Sequence, residues 1–297
     1  MLSRSVRILA PAKVNLFLGV HSELDERRYH LVDSLMACVD VADVVTLQDS
    51  RELTVRCEPD LGIPQEKNTC WKAARAMGDA FGRDPQFEIV VEKHVPDQAG
   101  LGGGSSDAAT TIVGICELWG IDPQDPRCFA AARSVGADVA FFLSGLPTFL
   151  QGAGDEVVEV LPAIEGAHLV LVKPAAHGEG VSTVAAYQEF DRDPVPAGDP
   201  TGIRAALRRE GWPVVIPLMQ NNLEPVAMRL DPSVGKLRRW LSAQPGVLRA
   251  MVTGSGSCVF AACESAHAAE AIAQAAREQG MWAHSGSFLG HGPQMLS

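Results

Sequence analysis

Apolar and polar positions alternate most clearly just before a glycine-rich segment in the first half of the chain. Residues 87–93, Phe-Glu-Ile-Val-Val-Glu-Lys, follow the period of two that predicts a strand. Residues 108–119 carry apolar side chains at helical spacing, which predicts a helix. The segment Gly100 to Gly104 lies between them and contains four glycines. The pattern therefore predicts a strand, a glycine loop and a helix in direct succession.

The same two periodicities predict elements along the rest of the chain. Further strands are predicted at 5–10, 13–21, 32–39, 43–47, 53–57, 147–151, 157–161, 168–173, 248–253, 258–263 and 281–289. Helices are predicted from Asn68 to Gly78, at 126–135, in a short segment through Tyr187, and at 203–210, 221–230, 233–243 and 265–279. Pro11 separates the first two strands, and Gly254 to Ser257 form the tip of a hairpin.

The order of these elements indicates a mixed α+β protein of two domains. A chain of 297 residues is long enough for two domains. The last strands enclose a helix in β-α-β order, which suits a ferredoxin-like layer. We place the boundary after the strand at 157–161, so that the N-terminal domain covers 1–162 and the C-terminal domain covers 163–297.

Composition and charge narrow the class of partner. The formal net charge of −11 argues against nucleic acid and against anionic membrane surfaces, because binding to either depends on clustered Lys and Arg. No apolar run is long enough to cross a membrane. The seven cysteines include no CxxC pair, and we expect reduced thiols in a cytoplasmic protein. We expect the protein to be a monomer or a homodimer. No His or Cys spacing indicates a metal site.

The glycine loop is the first candidate for chemistry. Glycines let several peptide N–H groups approach one ligand, beside the unpaired N–H groups and partial positive charge of a helix N-terminus. This predicts a phosphate site. The alternative is a tight turn with Ser105 or Ser106 as an ordinary N-cap, but four glycines exceed what such a turn requires. No Lys follows as in a Walker-type loop, and the glycine spacing does not fit a dinucleotide-binding unit.

Three polar residues stand in otherwise apolar runs. Lys13 and Asn15 lie two positions apart in a predicted strand and therefore share one face, which is either solvated or functional. Asp138 lies in the run Gly-Ala-Asp-Val-Ala-Phe-Phe-Leu at 136–143. A buried carboxylate requires a cation or strong donors, so Asp138 is either part of a structural ion pair or catalytic. Lys13 is the partner we predict for it.

Three segments taken together resemble the GHMP kinases, the small-molecule kinases named for galactose, homoserine, mevalonate and phosphomevalonate. They are Pro-Ala-Lys-Val-Asn-Leu at 11–16, Gly-Leu-Gly-Gly-Gly-Ser-Ser at 100–106 and Thr-Gly-Ser-Gly-Ser at 253–257. Their order and spacing match, over nearly the whole chain. Tyr29-His30, Gly-Ala-Asp-Val at 136–139, Val-Ser-Thr at 181–183 and Asn-Leu-Glu-Pro at 222–225 resemble the members that act on a cytidine-diphosphate-linked methylerythritol.

The resemblance implies a fold and an activity. The fold is that of a two-domain GHMP kinase, with a ribosomal protein S5 domain 2-like N-terminal domain and a ferredoxin-like C-terminal domain. The activity is transfer of the γ-phosphoryl group of ATP, with Mg²⁺, to the C2 hydroxyl of cytidine-diphosphate-linked methylerythritol in the non-mevalonate isoprenoid route. Mg²⁺ bridges nucleotide phosphates even where a protein supplies few ligands.

The resemblance also implies roles for individual residues. Asp138 would take the hydroxyl proton, and Lys13 would orient Asp138 and stabilise the transferring group. The residues implied for ATP are Pro96, Gly100, Leu101, Gly102, Gly103, Gly104, Ser105 and Ser106, with Asn68 and Lys93 beside the adenine. The residues implied for the acceptor are Asn15, Thr183, Gly254, Ser255 and Gly256, with Tyr29 and Tyr187 flanking the cytosine and His30 at its polar edge.

Several positions depart from the family pattern. Arg27-Arg28 stands where Asp-Gly is usual, Asp97-Gln98 replaces a more apolar pair, and the loop at 175–180 looks longer than usual. Two of these departures lie on the acceptor side, so a kinase acting on a mevalonate- or homoserine-like alcohol remains a second hypothesis. A nucleotide-binding protein without catalysis is a third hypothesis, against which the presence of both Lys13 and Asp138 argues.

Overall fold

The structure, a computed structural model, describes residues 4–175 and 181–296. In these residues there are twelve strands: β1 Ser5–Leu24, β2 His30–Asp49, β3 Thr54–Glu58, β4 Phe87–Glu92, β5 Thr148–Gln151, β6 Glu156–Val160, β7 His168–Lys173, β8 Gln220–Asn221, β9 Val247–Val252, β10 Val259–Cys263, β11 Trp282–Gly286 and β12 Gln294–Met295.

The described residues also form ten α-helices: α1 Thr69–Phe81, α2 Gly103–Trp119, α3 Pro126–Val135, α4 Val139–Ser144, α5 Thr183–Arg192, α6 Thr201–Arg209, α7 Trp212–Val215, α8 Glu224–Leu230, α9 Pro232–Ser242 and α10 Ala266–Glu278. Short 3₁₀ turns lie at Gln65–Lys67 and Ile216–Leu218. None of the helices in these two described ranges is long and apolar enough to span a membrane.

The long antiparallel pair β1–β2 replaces four predicted strands. The prediction of a break at Pro11 was wrong, because the strand continues through it. Pro11 pairs with Ala42 and Ala12 pairs with Val39, so β2 bulges by two residues at this point. A bulge accommodates a proline, which has no N–H to donate to the ladder.

The first sheet has eight strands, in the order β12-β1-β2-β4-β3, with β5 added beside β2, β6 beside β5 and β8 beside β1. The length of β2 allows it two partners, since one end pairs with β5 at Ser34–Met36 and the other with β4 at 44–49. The helix predicted over 221–230 was wrong at its start: Asn221 pairs with Leu18 of β1, and α8 begins at Glu224.

The second sheet has the order β11-β7-β10-β9, and every pair in it is antiparallel. The predicted hairpin is confirmed as β9 and β10, with Gly254 to Ser257 at its tip. The predicted last helix and strand are confirmed as α10 and β11. This sheet therefore has the expected β-α-β layer.

Helices cover the outer face of each sheet, and the inner faces pack on each other. One apolar cluster joins α1 to α4 with the first sheet, and another joins α8, α9 and α10 with the second. A third includes Val14 and Leu16 of β1 together with Leu171 of β7 and Phe260 of β10, so the two sheets share a core. Burial of such side chains contributes about 1.5–3 kcal/mol each. The glycine loop and the β9–β10 tip lie at one end of this shared core.

Candidate active site

The glycine loop bends into the first turn of a helix earlier than the sequence indicated. The helix predicted over 108–119, α2, in fact begins at Gly103. Its N-cap is Gly102, with φ of 70°, a conformation that glycine adopts without strain. Gly102 has no side chain to satisfy the N–H groups of Gly103, Gly104 and Ser105, which have no acceptor within the helix. These three amides form a donor cluster at the positive end of the helix.

Ser106 does not belong to this cluster of free donors. Its backbone N–H donates to the Gly102 carbonyl at 2.9 Å, and its side chain is fully buried. Its Oγ has no partner among the described residues. The predicted contact of Ser106 with ATP stays a prediction.

The tip of the β9–β10 hairpin packs directly on the glycine loop. The Thr253 hydroxyl donates to the Gly100 carbonyl at 3.3 Å, and the Cys258 amide donates to the Ala99 carbonyl at 3.2 Å. Gly100 has φ of 72°, and a Cβ there would collide with the Thr253 carbonyl. The two Gly/Ser segments, joined by a contact across 153 sequence positions, therefore form one surface.

Lys13 and Asn15 lie beneath this surface on one face of β1, as their spacing predicted. Both are buried, with only 4% and 3% of their surface exposed, so the hypothesis of a solvated sheet face was wrong. The Lys13 ammonium donates to Asn15 Oδ1 at 2.6 Å. Asn15 Nδ2 donates in turn to the Ser34 hydroxyl at 3.0 Å. These bonds hold the lysine in one orientation below the loop.

The predicted pairing of Lys13 with Asp138 is confirmed. The Lys13 ammonium lies 3.8 Å from Asp138 Oδ2, an ion pair too long to be a hydrogen bond. Asp138 is the N-cap residue of α4, and its side chain is 34% exposed. Burial lowers the pKa of Lys13, although the charge of Asp138 opposes that shift. A buried cation and an accessible carboxylate thus stand side by side next to the head of α2.

An aromatic group lies near the other side of Asp138. The rings of His30 and Tyr187 have centroids 5.2 Å apart, and Phe190 lies edge-on to His30. His30 Nδ1 is 2.7 Å from the His21 carbonyl, which can only accept, so Nδ1 carries a proton. Burial, and secondarily the charge of Asp138, raise the pKa of Tyr187 to about 12. The structure thus brings together two of the three residues predicted to hold the cytosine.

Tyr29, the third of these residues, lies on an exposed hairpin tip. It is 60% exposed, and the Arg27 guanidinium lies 5.6 Å from its ring centroid. Arg27 forms ion pairs with Asp25 and Asp155, each at 2.8 Å. Arg28 has φ of 67°, in the left-handed region, which costs a non-glycine residue roughly 1–2 kcal/mol. Arg28 therefore adopts a backbone conformation that glycine would favour, at the position where the family usually has glycine.

The two residues predicted beside the adenine are hydrogen bonded within the fold. Asn68 caps α1, since its Oδ1 accepts from the Cys70 amide at 2.8 Å. The Lys93 ammonium contacts Asp43 at 2.5 Å and Asp107 at 2.7 Å. Their contact with the adenine stays a prediction. Sequence reasoning missed Asp43 and Asp107, although Asp43, a carboxylate in the mostly apolar run at 41–47, was a signal of the kind used for Asp138.

The remaining predicted acceptor residues lie around the hairpin tip. The hydroxyls of Thr183 and Ser255 are 3.2 Å apart. Asn221, another residue that the sequence reasoning missed, donates from Nδ2 to the carbonyls of Val252 and Gly254, both at 2.8 Å. Gly256 completes the tip, with φ of 85°. The short pairing of β8 with β1 places Asn221 there, and no local pattern in the sequence indicates that pairing.

This arrangement has the parts that phosphoryl transfer requires. Such transfer depends on positioning and on stabilisation of charge around the phosphoryl group. The free amides of α2 and the Lys13 ammonium supply positive charge, and Asp138 supplies an acceptor for a proton. The predicted loop at 175–180 lies outside the described residues except for Ala175.

Two family models match the chain. The model of the GHMP kinases N terminal domain matches residues 68–146, and the model of the GHMP kinases C terminal matches residues 197–280. Together they span more than half of the 297 residues. The chain therefore belongs to the GHMP kinases, and the fold class implied by the resemblance is confirmed.

The relatives with similar sequences include enzymes of one particular GHMP kinase type. The chain is 35% identical to the 4-diphosphocytidyl-2-C-methyl-D-erythritol kinase of Nitrosomonas europaea, over 89% of this chain and 90% of that protein. It is 37% identical to the enzyme of the same name from Nocardia farcinica, over 90% of this chain and 88% of the relative.

Solved structures give the same picture at the level of the fold. A crystal structure of 4-(cytidine 5'-diphospho)-2C-methyl-D-erythritol kinase matches with a TM-score of 0.75 and 32% identity, over 97% of this chain and 99% of that chain. A homoserine kinase from Cytophaga hutchinsonii also matches with a TM-score of 0.75, at 22% identity, over 100% of this chain and 98% of that chain. The equal scores mean that the fold alone does not distinguish one acceptor from another.

Proposed function

We propose that this protein transfers the γ-phosphoryl group of ATP to the C2 hydroxyl of 4-diphosphocytidyl-2-C-methyl-D-erythritol, giving the 2-phosphate and ADP for isoprenoid precursor synthesis. The observation that carries the proposal is the ion pair of Lys13 with Asp138 beside the free amides of α2. The His30–Tyr187 aromatic pair supports a base-bearing acceptor, because an aromatic face stacks on a nucleobase.

In the proposed mechanism the amides of Gly103, Gly104 and Ser105 hold the triphosphate at the head of α2. The acceptor lies between Asp138 and the aromatic pair. Asp138 accepts the proton of the C2 hydroxyl while that oxygen forms a bond to the γ-phosphorus. The bond from the γ-phosphorus to its bridging oxygen breaks, and ADP leaves with that electron pair. Lys13 stabilises the charge on the transferring oxygens and keeps Asp138 oriented.

We propose Mg²⁺ as the ion that accompanies ATP. Within residues 4–175 and 181–296, no group of three or more His, Cys, Asp or Glu side chains could hold a metal ion. Mg²⁺ keeps several waters and is commonly bound through substrate phosphates with one or two carboxylates, so ATP itself can bring the ion to the site. Bound Mg²⁺ would neutralise part of the negative charge on the phosphates.

We also propose a cytoplasmic location and a domain division at 162/163. The seven cysteines are free and six of them are buried, which suits a reducing compartment. The two matched family segments lie on opposite sides of the proposed division.

An acceptor panel tests the proposed activity. The purified protein is incubated with ATP, Mg²⁺ and, separately, 4-diphosphocytidyl-2-C-methyl-D-erythritol, homoserine or mevalonate, and ADP release is measured. We expect ADP with the cytidyl acceptor alone, and ³¹P NMR should identify the 2-phosphate. ADP release with homoserine or mevalonate, and none above background with the cytidyl acceptor, would contradict the proposal.

A further inference from the structure

Three ionisable side chains that take no part in the proposed transfer step form a buried cluster beneath the glycine loop. The Lys93 ammonium lies 2.5 Å from Asp43 Oδ2 and 2.7 Å from Asp107 Oδ2. The exposed fractions of the three side chains are 7%, 0% and 6%. Burying charged groups opposes folding, and even a well-paired buried ion pair contributes little net stability. Stability alone therefore does not explain why these three side chains are buried together, and we look for a role in the function of the loop.

The three residues belong to elements that meet at the base of the loop. Asp43 lies on β2, Lys93 follows the last residue of β4, and Asp107 lies in the second turn of α2. The loop begins after Lys93, at the end of β4, and leads into α2, the helix that carries Asp107. The contact between these two side chains therefore joins the two ends of the loop.

Asp43 fixes the segment that leads into the loop. Its Oδ1 accepts from the backbone amides of His94 and Val95, at 2.5 and 2.8 Å, while its Oδ2 contacts Lys93. Both oxygens of this carboxylate thus have partners. Asp43 is the anchor of the cluster on the sheet.

The cluster also touches the head of α2. A Cβ at Gly103 would lie 3.4 Å from Lys93 Nζ and 3.5 Å from Asp43 Oδ2. Gly103 carries one of the free amides that face the proposed triphosphate site. Lys93 and Asp43 therefore lie next to the residue that carries this amide.

Asp107 is the less satisfied of the two carboxylates. Its Oδ1 has no partner among the described residues, and burial raises its pKa to about 7. Burial also acts to lower the pKa of Lys93, but the charges of Asp107 and Asp43 outweigh this effect and raise it overall. The lysine therefore remains a cation, and its bond to Asp107 links the end of β4 to the first turns of α2, in addition to their apolar packing.

We propose that Asp107, acting through Lys93, is a positioning residue for ATP: it ties α2 to the end of β4 and so holds the amides of Gly103 and Gly104 where they bind the triphosphate. This inference rests on the proposed function, because it takes ATP as the ligand of the loop. It assigns Lys93 to the base of the loop, with Asp43 as the fixed anchor.

Two substitutions of Asp107 test the role of its bond to Lys93. Asp107→Ala removes this bond, whereas Asp107→Asn keeps an oxygen that can accept from Lys93. We expect Asp107→Ala to weaken binding of a non-hydrolysable ATP analogue about 10-fold, the size of one buried charge-assisted hydrogen bond. The KM for ATP should rise by a similar factor while the KM for the acceptor changes by less than about 2-fold. Asp107→Asn should recover affinity to within about 3-fold of the unaltered protein.

Glu159→Gln is the matched control. Glu159 on β6 pairs with Arg204 and Arg208 of α6, so the substitution breaks ion pairs away from the loop. It should leave affinity for the ATP analogue unchanged, whatever its effect on the melting temperature. This separates loss of loop geometry from general loss of stability.

Calorimetric titration of each folded variant with the ATP analogue decides the outcome. Unchanged affinity in Asp107→Ala would overturn the inference and leave the proposed function intact. Equal losses in Asp107→Ala and Asp107→Asn would also overturn it, because the asparagine retains the tie. Failure of the unaltered protein to bind the analogue would overturn the proposed function and this inference together.

Discussion

The phosphate side and the acceptor side of the site are built in different ways. On the phosphate side, Lys13 and Thr253 are buried, and each is hydrogen bonded to the glycine loop: the Lys13 amide donates to the Leu101 carbonyl, and the Thr253 hydroxyl donates to the Gly100 carbonyl. On the acceptor side, Tyr29 projects from a hairpin tip and Thr183 begins a helix with its side chain exposed. Transfer of a phosphoryl group requires charges held in fixed positions. We therefore expect the first side to set the reaction class and the second side to select the acceptor.

The largest expected effect comes from the charges on the phosphate side. Asp138→Asn and Lys13→Ala should each lower kcat by at least about 10²-fold, the range seen when a key charge-stabilising group is lost. Steady-state kinetics measures this, and circular dichroism verifies that each variant is folded. Near-normal kcat in a folded Asp138→Asn protein would remove Asp138 from the mechanism.

The contact between the two Gly/Ser segments is the next to test. Gly100→Ala should strongly impair ATP binding, because its Cβ collides with the Thr253 carbonyl. Gly82→Ala is a matched control: Gly82 also has a positive φ, but nothing lies within 4 Å of its Cβ. The control should lose about 1–2 kcal/mol of stability from backbone strain alone and keep its ATP affinity. Similar ATP affinity in both variants would show that the loop does not depend on the hairpin tip.

A smaller and more selective effect is expected on the acceptor side. Tyr187→Ala should raise the KM for the cytidyl acceptor about 10-fold, as loss of one stacked base contact would. The KM for ATP should stay within about 2-fold, because Tyr187 packs against His30 and the apolar cluster of Val20 and Phe190, apart from the donor amides of α2. If both KM values rise equally, Tyr187 supports the whole site and does not select the acceptor.

The two sides should also respond to pH in opposite directions. Burial raises the pKa of Asp107 to about 7 from an ordinary 3.8, so from about pH 4 to about pH 7 the folded state keeps a proton that the unfolded state has released. Its contribution to the free energy of unfolding therefore falls as the pH rises through that window. Denaturant titrations across the window should show this trend, and Asp107→Asn should reduce it.

On the acceptor side the sign is reversed. The Tyr29 amide lowers the pKa of Asp25, and the Arg27 guanidinium lowers that of Asp155. Their contributions are present above the unfolded value of 3.8 and are lost as the pH falls below it. The side chains of Asp25 and Asp155 are partly buried, but their partner Arg27 is 54% exposed, so the effect should be small and should weaken in salt. If the free energy of unfolding of Asp107→Asn fell between about pH 4 and about pH 7 as much as that of the unaltered protein, the proposed opposite pH responses of the two sides would be contradicted.

Local patterns allowed most of the elements to be predicted. Alternation identified β4, β7 and the β9–β10 hairpin, and Asn68 marked the start of α1 because its side chain can cap a helix. The same reasoning placed Lys13 and Asn15 on one face. It was wrong at Pro11, where a bulge lets the strand continue, and at the start of α2, where glycines entered the helix.

The sequence alone determined which chemical groups are available and which of them neighbour one another within an element. It determined the glycine loop before α2, the Lys13–Asn15 face and the family to which the chain belongs. Only the tertiary structure decided that Thr253 packs on Gly100, that Asn221 holds the hairpin tip, and that Lys93 lies between two carboxylates. These contacts join residues from 14 to 153 positions apart, and periodicity carries no information about such pairings. They depend on how the two sheets pack, which is a property of the whole fold.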